Sequence, residues 1–149
     1  MAAGDFTIFT QAKLDILKGT HNIGTDTYKF ALIGNAVSPT ETTADPRWGA
    51  GGTTNFSSQQ VTPGGNYSTG GPAITLTPAL SSPNAKFTGS TISIAQHASN
   101  PTGVYWAIVY NDTSAGKEAL GFVELGTNLN LTTGAFTYTP NATAMATLS

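Results

Sequence analysis

Val104-Tyr105-Trp106-Ala107-Ile108-Val109-Tyr110, then Asn111-Asp112-Thr113-Ser114-Ala115-Gly116-Lys117, then Ala119-Leu120-Gly121-Phe122-Val123-Glu124-Leu125 is the stretch that decides the fold. The first run is apolar at every position and rich in aromatic and β-branched residues, as in a strand covered on both faces. It predicts a central strand. The polar segment holds Asn, Asp, Ser and Gly, which tolerate tight or left-handed backbone, so the two runs predict an antiparallel hairpin. The second run alternates more, with Glu124 placed to reach water.

Outward from this hairpin, the chain is short on charge and rich in turns. Its 149 residues fit one domain spanning residues 1–149, able to bury roughly 70% of its unfolded surface. Charged residues are only 9% of the chain, against ~25% in an ordinary soluble domain. There are 17 Gly and 8 Pro but no Cys, which excludes disulfides and thiolate chemistry and fits assembly in a reducing cell. The formal charge is −2, and the six basic residues are scattered, so no basic stripe points to direct nucleic-acid binding. No apolar run approaches the ~18 residues of a membrane span, and the N-terminus carries no signal-peptide pattern.

Thr10 is expected to cap a short helix over Gln11 to Lys18, with Gly19 as a left-handed stop. Leu14 and Leu17 are spaced to share its inward face, on a core that Phe6 and Phe9 also reach. Tyr28 to Ile33 reads as the next strand. Residues 35–66 form a long polar excursion carrying Trp48 and Phe56, expected to be ordered because these rings are costly to solvate, with a short strand possible near Gln59 to Val61. Short strands are then expected at Ala73 to Leu76, Ala85 to Thr88, Thr91 to Ala95, Asn128 to Leu131, Ala135 to Tyr138 and Ala144 to Leu148. Gly89-Ser90 reads as a tight hairpin turn. The fold class is therefore all-β, an antiparallel β-sandwich of jelly-roll or immunoglobulin-like kind with one short N-terminal helix.

Candidate chemistry is sparse. His21 and His97 stand alone without metal-ligand spacing and read as loop or surface residues. The eight carboxylates form no acid/base motif, and no catalytic, metal or cofactor-binding residue is expected. Gly116-Lys117-Glu118 resembles the end of a phosphate loop but lacks its upstream Gly and its Ser or Thr. Asn111 to Ser114 offers oxygens without the EF-hand pattern and reads as a solvated hairpin loop. Five Asn-x-Ser/Thr sequons accompany the abundance of Ser and Thr. Tyr105, Trp106 and Tyr110 read as core. Trp48 reads equally as a partner anchor or as a cap over the chain's own core.

Asp26 to Ile33, Gly65-Asn66-Tyr67-Ser68-Thr69-Gly70-Gly71, Tyr105 to Asp112, Leu120 to Gly126, Gly134-Ala135-Phe136-Thr137 and Thr147-Leu148-Ser149, in this order, resemble a family of small tailed-bacteriophage virion proteins. The resemblance covers most of the chain from Asp5 to Ser149, although residues 49–62 are longer than the family's pattern. It implies a non-enzymatic head decoration or cement protein on the capsid exterior, assembled in the host cytoplasm. Its implied partners are the major capsid protein and neighbouring copies of itself, with no nucleic acid, membrane or cofactor. Candidate partner contacts are Phe6, Phe9, Trp48, Phe56 and Tyr67, carried by an N-terminal arm of residues 1–9, by the 35–66 excursion and by the glycine-rich segment after it. A tail-tube, adaptor or fibre-associated protein would share this composition. A carbohydrate-binding sandwich would use exposed Trp48 and Tyr67.

Overall fold

The computed structural model describes residues 4–149. It is mostly β, 40% strand and 8% helix, with one α-helix, several antiparallel sheets and no closed barrel. In chain order the elements are β1 (Phe6–Ile8), α1 (Thr10–Leu17), β2 (Tyr28–Ile33), β3 (Pro46–Arg47), β4 (Thr54–Asn55), a 3-10 turn (Phe56–Gln59), β5 (Ala73–Ile74) and β6 (Leu76–Ser81). They continue with β7 (Asn84–Gly89), β8 (Ile92–Ile94), β9 (Val104–Asn111), β10 (Ala119–Leu129), β11 (Phe136–Tyr138) and β12 (Ala146–Leu148).

The hairpin is the spine. β9 lies inside a five-stranded sheet ordered β1-β10-β9-β2-β5, as its unbroken apolar run requires. Register places Ala31, Ile108 and Phe122 in one row, and Phe30, Val109 and Gly121 in the next. Directly opposed residues share a face, so these two rows face opposite sides of the sheet. On the side of Phe122, its ring meets Phe9 with centroids 5.1 Å apart, and Trp48 lies flat on Tyr110 at 5.1 Å and 11°. On the side of Phe30, that ring stacks on Tyr138 of β11 at 5.0 Å. There β8 and β11 form a two-stranded sheet, and β12-β7-β6 a three-stranded one. The buried apolar side chains from all these elements join in one cluster.

Several expectations are corrected. The helix starts at Thr10, and the flanking Phe9 makes no side-chain cap, so Thr10 is the first helical residue and not the cap. The face of α1 turned inward carries Ala12 and Asp15, while Leu14 and Leu17 are 45% and 85% exposed. Gly89-Ser90 does not close a hairpin: β7 pairs with β6 and β12, and β8 pairs with β11, so the chain there passes from one sheet to another. The two-residue connection is instead Ser82-Pro83, between Ser81 and Asn84. The expected arm is also a strand in part, since Phe6–Ile8 pairs with β10; Met1 to Ala3 lie outside the described residues. Asn128 and Leu129 continue β10, and Gln60 makes only an isolated bridge to Ile33.

Candidate docking surface

The five aromatic residues expected to contact a partner are turned inward. Phe9 and Phe56 are fully buried and stacked on each other at 6.0 Å. Trp48 is buried against Tyr110, and its backbone N–H donates to the Lys117 carbonyl at 2.8 Å. Tyr67 is buried, and its hydroxyl accepts from the Leu32 N–H at 2.8 Å, occupying a backbone donor of β2. Phe6 is half-buried with its ring edge-on to Phe87 at 6.0 Å. These rings are covered by the chain's own atoms, so Phe9, Trp48, Phe56 and Tyr67 offer no side-chain surface to a partner. A sugar-stacking platform on Trp48 and Tyr67 is removed by the same fact.

The residues richest in chemistry gather at the β9–β10 turn. Buried Asn111 donates through Nδ2 to the Thr20 carbonyl at 3.0 Å and to Asp26 Oδ2 at 2.7 Å. Its Oδ1 accepts from the N–H groups of Thr113 and Ser114 at 2.9 and 3.1 Å, so no oxygen lone pair is turned toward a free cation. Asp112 takes Lys117 Nζ at 2.8 Å and Lys29 Nζ at 3.3 Å. Glu118 accepts from the Ser114 hydroxyl and faces Arg47 Nη1 at 3.5 Å, while Arg47 Nε reaches Asp45 at 3.1 Å. Three cations and three carboxylates thus neutralise one another, and the arrangement ties the 45–48 segment and the 20–26 loop to the hairpin. Its chemistry is spent on holding the turn.

The ionisations follow from these surroundings. The hydrogen bond from Lys117, aided by Lys29, holds the Asp112 carboxyl below its ordinary 3.8. Burial pushes the Tyr28, Tyr67 and Tyr110 hydroxyls upward, and Tyr138 to about 12. His21 lies in the 20–26 loop, one of the two readings given for it, but is buried and not at the surface; its ring stacks on Tyr28, and burial pulls it below 6.5 although Asp15, Glu118 and Asp26 oppose this. A folded-state value below the unfolded one means that the unfolded chain binds more protons in between. His21 therefore contributes stability that is complete above pH 6.5 and is lost as pH falls below it; Asp112 does the same below 3.8. The tyrosines contribute stability that is complete below pH 10.0 and is lost as pH rises toward 12. Urea midpoints measured against pH should show a plateau between about 6.5 and 10 with a fall on either side. His21→Gln should flatten the fall immediately below pH 6.5.

A few large apolar side chains face outward. Among the described residues the exposed large hydrophobics are Leu14, Leu17 and Leu80, with Leu80 the most open at 88%. Leu80 belongs to β6, an edge strand whose residues from Thr77 to Ser81 are all exposed. Pro78 is tolerated there because an edge strand need not donate every N–H to a neighbour. Beside this edge lies a groove of about 380 Å³. Ile16 of α1, Ile23, Pro78 and Leu80 of β6, Phe87 of β7 and Leu148 of β12 shape it, while register turns the Lys86 side chain to the other face of β7. Sequence reasoning missed this surface because the strands expected at Ala73 to Leu76 and Ala85 to Thr88 left Leu80 in a connection, whereas β6 runs on to Ser81. The available signal was an apolar residue, Leu80, two places after a strand proline.

No family model, curated protein or solved structure matches the chain. No described helix is long and apolar enough to cross a membrane. No group of three or more metal-ligating side chains occurs among the described residues.

Proposed function

We propose that this chain is a structural virion protein of a tailed phage, a decoration or cement protein that attaches to the outside of the capsid shell by protein–protein contact. The observation that carries this reading is the open apolar groove beside the β6 edge, with Leu80 standing almost wholly in solvent. Contiguous exposed apolar surface on a soluble protein marks a docking site, and a projecting aliphatic side chain is a ready anchor. The five-stranded sheet and the layer formed by β8-β11 and β12-β7-β6 make a β-sandwich in this reading, a rigid body that presents the groove at one edge. Repetition over a shell supplies the rest: modest contacts made to adjacent shell subunits raise one another's effective concentration and oppose dissociation. The resemblance to small virion proteins, carried by Asp26 to Ile33 and Tyr105 to Gly126, points the same way.

The test is attachment. Purified protein is mixed with undecorated shells of a phage encoding it, and the shells are sedimented. Wild-type protein is expected to co-sediment to saturation. Leu80→Asp forfeits burial worth roughly 1.5–3 kcal/mol, a tenfold to hundredfold loss of affinity, while its thermal unfolding stays unchanged because the side chain is solvated in the free protein. Wild-type protein left in the supernatant would reject the reading.

A further inference from the structure

Of the two histidines, His97 is exposed and His21 is only 3% exposed. The Tyr28 hydroxyl lies 3.4 Å from His21 Nδ1, and Nε2 is buried without a hydrogen bond. A second ring proton makes both nitrogens donors: the Tyr28 hydroxyl must then turn to accept, and Nε2–H carries part of a positive charge with no acceptor in bonding geometry. The charged and titratable groups facing the ring are Asp15 of α1, Asp26 of the loop before β2, Glu118 of the β9–β10 turn and Tyr28 of β2, with the Ala119 carbonyl nearby. The carboxylates are already engaged. Asp15 takes the Gln11 amide at 2.9 Å, Asp26 takes the Asn22 N–H at 2.9 Å and Asn111 Nδ2 at 2.7 Å, and Glu118 takes the Ser114 hydroxyl and faces Arg47. They attract an imidazolium, but the cost of burying it is larger.

The segment that carries this ring is thinly anchored. α1 has eight residues, no side-chain cap and Ala12 as its buried apolar side chain, while Ile16 and Ile23 pack on the core only in part. So short a helix is marginal alone and holds through its packing. Beyond it, Asn111 Nδ2 holds the loop by the Thr20 carbonyl at 3.0 Å and by Asp26. The strands beneath are held independently, β2 paired to β9 and β9 to β10. We infer that His21 is an acid-operated latch: when its ring takes a proton, α1 and the 18–26 loop come away from the sheet while β2, β9 and β10 stay paired. The proton binds better where the ring is solvated, so acid shifts the population toward the open segment. Ile16 and Ile23 leave with it, and one wall of the apolar groove is dismantled. The latch does not depend on what the groove binds.

The experiment is amide exchange of the free full chain, corrected for the intrinsic rate, about one pH unit above and about one below 6.5. The N–H groups of Lys18, Thr20 and His21, bonded to the Leu14 and Asp15 carbonyls, report the segment. Their opening constant should rise about tenfold on acidification and respond little to dilute urea, whereas amides of β2 and β9 exchange more slowly, through a urea-sensitive opening. His21→Gln should abolish the rise and His97→Gln should keep it. The ring signal of His21 decides on the wild-type chain if His21→Gln does not fold: it should remain that of a neutral ring wherever the α1 amides stay protected. No rise in the wild-type protein, an equal rise in His21→Gln, or a rise shared with β2 and β9 at equal urea sensitivity overturns the inference. So does a protonated His21 ring in molecules whose α1 amides are still protected.

Discussion

Phe122→Ala is expected to cost roughly 3–5 kcal/mol of folding stability, the largest single loss from any truncation near the hairpin. Phe122 is 1% exposed and lies between the Phe9 ring at 5.1 Å and the Trp106 ring at 6.1 Å. Its backbone is paired through Ile108 to Ala31, so the sheet cannot close over the vacated space without breaking register. β10 loses contact with β9 through Trp106 and with the start of α1 through Phe9, whose ring in turn stacks on Phe56 of the 3-10 turn. The denaturant midpoint should fall with an unchanged slope, and the melting temperature should drop by on the order of 10 °C. A loss under about 1 kcal/mol would mean that these rings are not packed as described.

Gly71→Ala is expected to be nearly as damaging, although it adds only a methyl group. Gly71 has φ +79, a backbone region that a side chain makes costly, and an added Cβ would run into the Phe30 carbonyl and come within 2.8 Å of the Ala31 Cα. The obstacle is the backbone of β2, paired on its other side to β9, so it cannot give way. The neighbouring Pro72 carbonyl accepts from the Phe30 N–H at 2.9 Å and leads into β5, the last strand of the five-stranded sheet. A loss of roughly 3 kcal/mol is expected from strain and clash together. Gly134→Ala is the matched control: a Cβ there meets nothing within 4 Å and its φ is not in the positive region, so stability should stay within about 0.5 kcal/mol of wild type. Equal effects at the two positions would contradict the packing of the 70–72 segment on β2.

Legibility in the sequence tracked how local each cause was. β2, β9 and β10 were readable because Tyr28 to Ile33, apart from Lys29, and Val104 to Tyr110 are apolar on both alternating faces, and the Asn-Asp-Thr-Ser turn between β9 and β10 carries its own backbone chemistry. Which sheet a short strand joins is a non-local matter. Ala85 to Thr88 and Thr91 to Ala95 looked like two arms of a hairpin, yet Phe87 pairs with Ala146 while Ile94 pairs with Phe136. Nothing near Gly89 in the sequence distinguishes a turn from a crossing.

The candidate surface was harder still to read. Tyr67 was expected to offer its ring to a partner, and Trp48 either to do so or to cap the chain's own core; the Leu32 N–H and Tyr110 claim them, so Trp48 is the cap, and both partners are distant in the chain. The spacing of Leu14 and Leu17 tells that they share a face of α1, but not which face is covered. Ala12 and Asp15 take the inward side, Asp15 receiving the Gln11 amide at 2.9 Å, so the leucines are left to solvent. The groove joins side chains from α1, β6, β7 and β12, four segments that no single stretch of sequence places together.

The direct test is amide hydrogen exchange of the full chain, free and seated on undecorated shells. The working surface in this account is the apolar edge of the molecule, and the ion-paired turn only holds the hairpin together. Slowed exchange on the shell is expected along β6 and at Ile16, Ile23 and Leu148, with residues 111–118 unchanged. Protection of 111–118 with β6 left as open as in the free protein would contradict it.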